Sequence, residues 1–186
     1  MNLYFRLILC IIKSLCAAKM DILEKSVMRF HVLPTDLDFN MHMNNGRYLT
    51  IMDLGRLDMM IRTGLIKAVT GKTHAPVVGT AKIRYRLPLL PFQAYDLETE
   101  FVYWDDEWAY IEQRFVIAKG PKKGAVAAIA VVKVSLYDRI NKRRPNPHEF
   151  LSTFGYNHDS PEISPFLQSF IETENEFRKL TSTGER

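Results

Sequence analysis

Six polar side chains crowd into ten residues of this chain: Asp36, Asp38, Asn40, His42, Asn44 and Asn45. An apolar run follows at once. Carboxylates are expensive to desolvate, so their place beside a core implies partners or a chemical task. If the following segment is a helix, its first turn offers unpaired N–H groups and the positive end of its dipole. Such a turn can hold an oxyanion while a nearby carboxylate acts as base or nucleophile. The same residues also suit a purely structural role, with Asp36 and Asp38 forming Asx-turns and the asparagines capping. Spacing alone leaves both open. Other chemistries find less support. His31, His42, His74, His148 and His158 show no metal-ligand spacing with cysteines or acids, so no metal is expected. No serine or cysteine sits in a nucleophile elbow, and the glycines form no phosphate loop. No cofactor is expected.

The elements that must position this cluster are legible on either side of it. Val27, Phe30 and Val32 read as a short strand ending at Pro34. A helix is predicted over 45–65, with an asparagine as N-cap and Gly64 or Gly71 near its end. Its apolar residues (Tyr48, Leu49, Ile51, Met52, Leu54, Leu57, Met59) go nearly all round, so it belongs in the interior. Gly55 in its middle costs helix propensity and implies a close approach. The period then switches to two. Strands are predicted over 76–87, 94–104, 108–118 and 125–138, with a hairpin about Asp105-Asp106-Glu107. Strand, long helix, then four antiparallel strands gives an α+β fold, a curved antiparallel sheet wrapped around a buried central helix. After Pro145 and Pro147 a second helix is predicted near 163–180, with Phe166, Phe170 and Phe177 on one side. Three regions result: an N-terminal extension over 1–25, the α+β domain over 26–140, and a tail over 141–186.

Residues 1–20 carry Arg6, Lys13 and Lys19 and no acid. As a helix they place Asn2, Arg6 and Lys13 near one stripe, with Tyr4, Leu7, Ile8, Ile11, Ile12 and Leu15 opposite. The apolar run is too short to span a bilayer, and no convincing cleavage site follows, which argues against a signal peptide. Either this basic amphipathic helix makes peripheral membrane contact, or it packs on the domain or a second subunit.

The remaining composition is ordinary. The 186 residues, 47% hydrophobic and 25% charged, suit one globular domain. Two cysteines cannot form a disulfide framework, which fits a reducing cytoplasmic setting. A net charge of +4 is mild, and no nucleic-acid module surrounds the basic residues, so no nucleic-acid partner is expected.

The stretch Asp36-Leu37-Asp38, then His42-Met43-Asn44-Asn45, then Tyr48 resembles the signature of the hotdog-fold acyl-CoA thioesterases, in the hydroxybenzoyl-CoA thioesterase branch. Over 34–65, including Arg47, Asp53 and Arg56, it looks closest to the subgroup around thioesterase superfamily member six. The resemblance implies a hotdog fold and hydrolysis of an acyl-CoA thioester to a carboxylic acid and free CoA. It assigns Asp38 as general base or nucleophile, and the amides near Asn45 and Gly46 as oxyanion site. His42, Asn44, Asn45 and Tyr48 would shape the loop or line the acyl channel. Lys82, Arg84, Arg86 and Arg144 are the candidates for the CoA phosphates, and a homodimer or homotetramer is implied. The family commonly has glycine before the histidine, where this chain has Met41, so either Asn40 takes over that bend or the loop runs differently. A hotdog hydratase fits less well, because Asp38 and His42 are four apart with no proline between. A weakly catalytic acyl-CoA or lipid-binding hotdog protein at a membrane is the other alternative.

Overall fold

The computed structural model describes residues 2–182. Helix α1 (Asn2–Cys16) leads into strand β1 (Ser26–His31), a short 3-10 turn (Pro34–Asp36), and the long helix α2 (Asn45–Arg62). Then follow α3 (Ile66–Thr70), β2 (His74–Tyr85), β3 (Ala94–Trp104), β4 (Ala109–Ile117), β5 (Val126–Asp138), α4 (Pro147–Ser152) and α5 (Pro165–Ser182). The five strands form one antiparallel sheet in the order β1-β3-β4-β5-β2. Register slips at Val78/Thr80, Phe101/Tyr103 and Phe115/Val116 bend the strands. The sheet curves around α2, the hotdog arrangement.

Helix α2 buries Tyr48, Ile51, Met52, Leu54, Gly55 and Met59 against the sheet's Tyr95, Leu97, Phe115, Ala128 and Val132. Gly55 makes the closest approach. A Cβ there would lie 2.6 Å from the Thr99 hydroxyl and 2.7 Å from the Leu97 side chain. The helix stops at Arg62 because Gly64 turns left-handed, at φ 82°. It is less enclosed than its composition suggests: Leu49 is 43% exposed and the Asp53 side chain 65%. One curved sheet covers one side of a helix, and α1 covers a second.

Helix α1 packs on the domain, one of the placements expected for it, but by an unexpected side. It lies on α2 by a mixed stripe, with Arg6, Cys10 and Ser14 buried and Leu7 packed on the core, while Lys13 of the expected polar side and Tyr4, Ile8, Ile12 and Leu15 face solvent. Buried acids explain this. Asp36 receives Arg6, and Asp58 receives the Ser14 and Ser26 hydroxyls. Helix α5 covers the convex face of the sheet, seating Leu167 and Phe170 on Trp108, Tyr110 and Val131. Phe166 and Phe177 point outward, so the expected row of three phenylalanines does not share one buried face. Thr80 on β2 ties that helix down by donating to Glu174 at 2.6 Å. Among the described residues, no helix is long and apolar enough to cross a membrane.

Candidate active site

The loop between β1 and α2 is built around two aspartates with different tasks. Asp36 is buried and held from several sides. Its carboxylate accepts the Leu33 amide at 2.8 Å and the Arg6 guanidinium at 2.6 Å, with the Arg47 Nε at 3.6 Å. Its carbonyl accepts the Asn44 amide, closing the loop on the start of α2. Asp36 is thus the post to which the loop is tied.

Asp38 stands two residues on and half-buried. One carboxylate oxygen, Oδ1, accepts the Asn40 and His42 amides at 2.9 and 3.2 Å. The Asp38 amide donates to the His42 carbonyl at 2.8 Å, and the Met41 amide to the Asp38 carbonyl at 3.1 Å. These bonds fold 38–42 into a tight loop. The other carboxylate oxygen, Oδ2, has no hydrogen bond among the described residues. The left-handed bend falls on Met41 itself, at φ 59°. Neither Asn40 nor a rerouted loop replaces the glycine; the methionine adopts the strained conformation and turns its side chain outward.

Asn44, not Asn45, caps α2: its side-chain oxygen accepts the Gly46 amide at 2.9 Å. That bond uses the Gly46 N–H, leaving the Asn45 amide as the first helical donor without a partner among the described residues. Asn45 contributes its carbonyl to the Tyr85 hydroxyl at 3.1 Å, which fastens the end of β2 to the helix start. Tyr48, one turn in, is a core aromatic with its ring edge-on to Tyr85 and Phe115 at 5.0 and 4.8 Å. Burial pushes its phenol up to about 12, and the nearby Asp38 charge adds to the rise.

The four basic candidates do not converge. Lys82 and Arg84 are exposed on β2 and Arg86 just past its end, with Lys82 over the Phe166 ring of α5. Arg144 stacks on Trp108, 4.3 Å from its ring centre, on the convex side. Among the described residues, no group of three or more His, Cys, Asp or Glu could hold a metal ion. Sequence reasoning missed the part of Arg6 in this loop, for its partner is thirty residues away. It also missed Tyr95, whose buried hydroxyl has no hydrogen-bond partner among the described residues. A largely apolar cavity of about 390 Å³ lies away from Asp38, along the C-terminal half of α2. Met59, Leu65, Val77, Leu136 and Phe150 line it, with Asp53 and Arg56 at its edge.

A hotdog sheet with a carboxylate loop at the head of its central helix defines a class of thioester-handling protein, and comparison with known proteins places the chain within it. The chain belongs to the Thioesterase-like superfamily, which matches residues 32–171. It is 36% identical to Protein THEM6 of Danio rerio over 151 residues, 81% of this chain and 71% of that protein. It is 39% identical to Protein THEM6 of Xenopus laevis over 106 residues, 57% of this chain, and spans about half (51%) of that protein's length. Among solved structures, the fold matches the YbaW probable thioesterase from Escherichia coli at a TM-score of 0.61 and 21% identity, covering 69% of this chain and 97% of that one. It also matches Staphylococcus aureus SAV2348, solved in complex with CoA, at a TM-score of 0.61 and 15% identity, covering 79% and 92%.

Proposed function

We propose that the chain is an acyl-CoA thioesterase with Asp38 as its general base or nucleophile. The observation that carries this is the division of labour in one carboxylate. Two backbone amides hold Oδ1 and fix the group's direction, while Oδ2 stays uncommitted beside the first turn of α2. Acting as base, Asp38 takes a proton from water as the water oxygen attacks the thioester carbonyl carbon. The carbonyl oxygen gains charge near the Asn45 amide, the C–S bond breaks, and the CoA thiolate leaves and is protonated. Acting as nucleophile, Asp38 attacks the carbonyl carbon, the C–S bond breaks with loss of the CoA thiolate, and water hydrolyses the resulting acyl anhydride to the acid and free Asp38. Family membership and the CoA-bound neighbour support a CoA thioester as substrate. Lys82, Arg84 and Arg86 are the proposed phosphate contacts. Arg144 is the weakest of the four, since its guanidinium is already stacked.

The proposed assembly is a homodimer. The outer edge of β2 is twelve residues of unpaired strand, and open edges of that length are normally covered. Two β2 edges paired about a twofold axis would run the α2 helices antiparallel. The Asp38 loop of one subunit would then stand toward the C-terminal half of the other's α2, where the apolar cavity could take the acyl chain.

The test is a thiol-release assay over a panel of acyl-CoA esters. Asp38→Asn keeps an oxygen for the Asn40 and His42 amides and removes the charge, so turnover should fall by roughly 10²–10⁴ with little loss of stability. Wild-type turnover in Asp38→Asn would leave Asp38 as a turn former and overturn the assignment.

A further inference from the structure

Helix α1 is docked by a largely polar stripe, with Leu7 the apolar side chain packed beside it. Arg6, Cys10 and Ser14, spaced four apart, are buried on the domain. They are held by Arg6 to the His31 carbonyl and Asp36, Cys10 to the Leu54 carbonyl, and Ser14 to Asp58. With this stripe fixed inward, Tyr4, Phe5, Ile8, Ile12 and Leu15 are fixed outward, each 53–73% exposed. A continuous apolar face of this kind is rare on a free surface and marks an interaction site.

The same end of the molecule carries a second, independent set. Phe39 and Phe92 are 94% and 69% exposed, and Met41, close to Phe39 in sequence, is exposed as well. Met41 and Phe92 both hold left-handed backbone, at φ 59° and 60°. Glycine would adopt that conformation freely, yet both positions carry large apolar side chains turned to solvent. The Met43 amide donates to the Leu89 carbonyl and the Phe92 amide to the Val32 carbonyl, setting the two turns side by side. Arg6 pins the first turns of α1 to the same 31–36 segment.

We propose that this end docks on an anionic lipid bilayer. Helix α1 lies flat in the headgroup layer with its apolar face down, and Phe39, Met41 and Phe92 insert beside it, so that the Asp38 loop opens against the lipid. Charge selects this occupant over an apolar protein partner, because Lys13 and Lys19 flank the face and residues 1–20 hold no acid. Docking selects lying over spanning, because Arg6, Cys10 and Ser14 fix one side of α1 to the domain along its length.

The experiment is flotation of the full chain with vesicles of phosphatidylcholine alone or phosphatidylcholine with phosphatidylglycerol, at low salt. The chain should float with the anionic vesicles and much less with the zwitterionic ones. The double substitution Ile8→Glu with Ile12→Glu should cut partitioning at least about tenfold. Both positions are exposed, so the thermal midpoint should hold. Phe92→Gly separates docking from structure: it should lower vesicle binding while holding or raising the thermal midpoint, whereas a structural ring would lower the midpoint. Failure of the full chain to float with anionic vesicles overturns the proposal. So does a dimer in sedimentation that the double substitution converts to monomer, which would make the face a contact between copies of the chain.

Discussion

Arg6 and Asp36 meet at 2.6 Å with almost no solvent on either side chain. Removing Arg6 leaves Asp36 with the Leu33 amide and the more distant Arg47, and breaking a buried pair costs up to about 3–5 kcal/mol. Arg6→Met should therefore lower the unfolding free energy from urea titration by up to that amount, while an exposed change such as Lys13→Met should not. Met41 offers the opposite sign. Its left-handed backbone costs an L-residue about 1–2 kcal/mol, so Met41→Gly should stabilise, less the roughly 1 kcal/mol entropy cost of glycine in the unfolded chain. A rise of a few tenths to 1 kcal/mol in unfolding free energy, with unchanged turnover, is the expected outcome. What sequence showed here was the cluster and, through its resemblance, Asp38 as the reactive acid with Asp36 in the loop's structure; what it hid was how Asp36 is held. Asp36 is tied by an arginine thirty residues upstream, and no local pattern carries that information.

The sheet's elements were readable because the signal is local: β3 and β4 show their own period of two, and β5 a long apolar run, before any partner is known. Helix α1 was equally readable as a helix and unreadable in orientation. The helical wheel separates a polar stripe from an apolar one, and the usual rule buries the apolar side. The rule fails because Asp36 and Asp58 lie beneath α1 and need donors. Gly55 is the element-scale site where expectation and geometry agree. Gly55→Ala gains helix propensity of about 1 kcal/mol, yet its methyl would press on Thr99, Leu97 and the Gln113 amide within 2.9 Å. Overpacking costs about 1–3 kcal/mol and should win, lowering the thermal midpoint. A midpoint equal to wild type would mean that α2 slides on its sheet more readily than this packing implies.

Across the whole molecule, the eight tyrosines report on the core in alkaline solution. Burial raises the phenols of Tyr48, Tyr95 and Tyr110, with Asp105 adding to the rise at Tyr110. A raised folded pKa means that this contribution to stability is complete below the ordinary value near 10 and drains away as pH climbs past it. Absorbance titration of the native protein should show these three ionising late and together with the loss of near-ultraviolet circular dichroism. Smooth titration of all eight near 10 would mean that the core admits water.

The polar docking of α1 has a practical corollary. A mild detergent competes for greasy contacts and leaves a buried ion pair alone, whereas urea solvates backbone and apolar groups alike. The two faces of α1 therefore answer to different reagents. Detergent would strip lipid from the outward face and deliver the molecule with its first helix still in place. A denaturant would free the inner face as well, and the loop carrying Asp38 would lose its tether to the N-terminus in the same step.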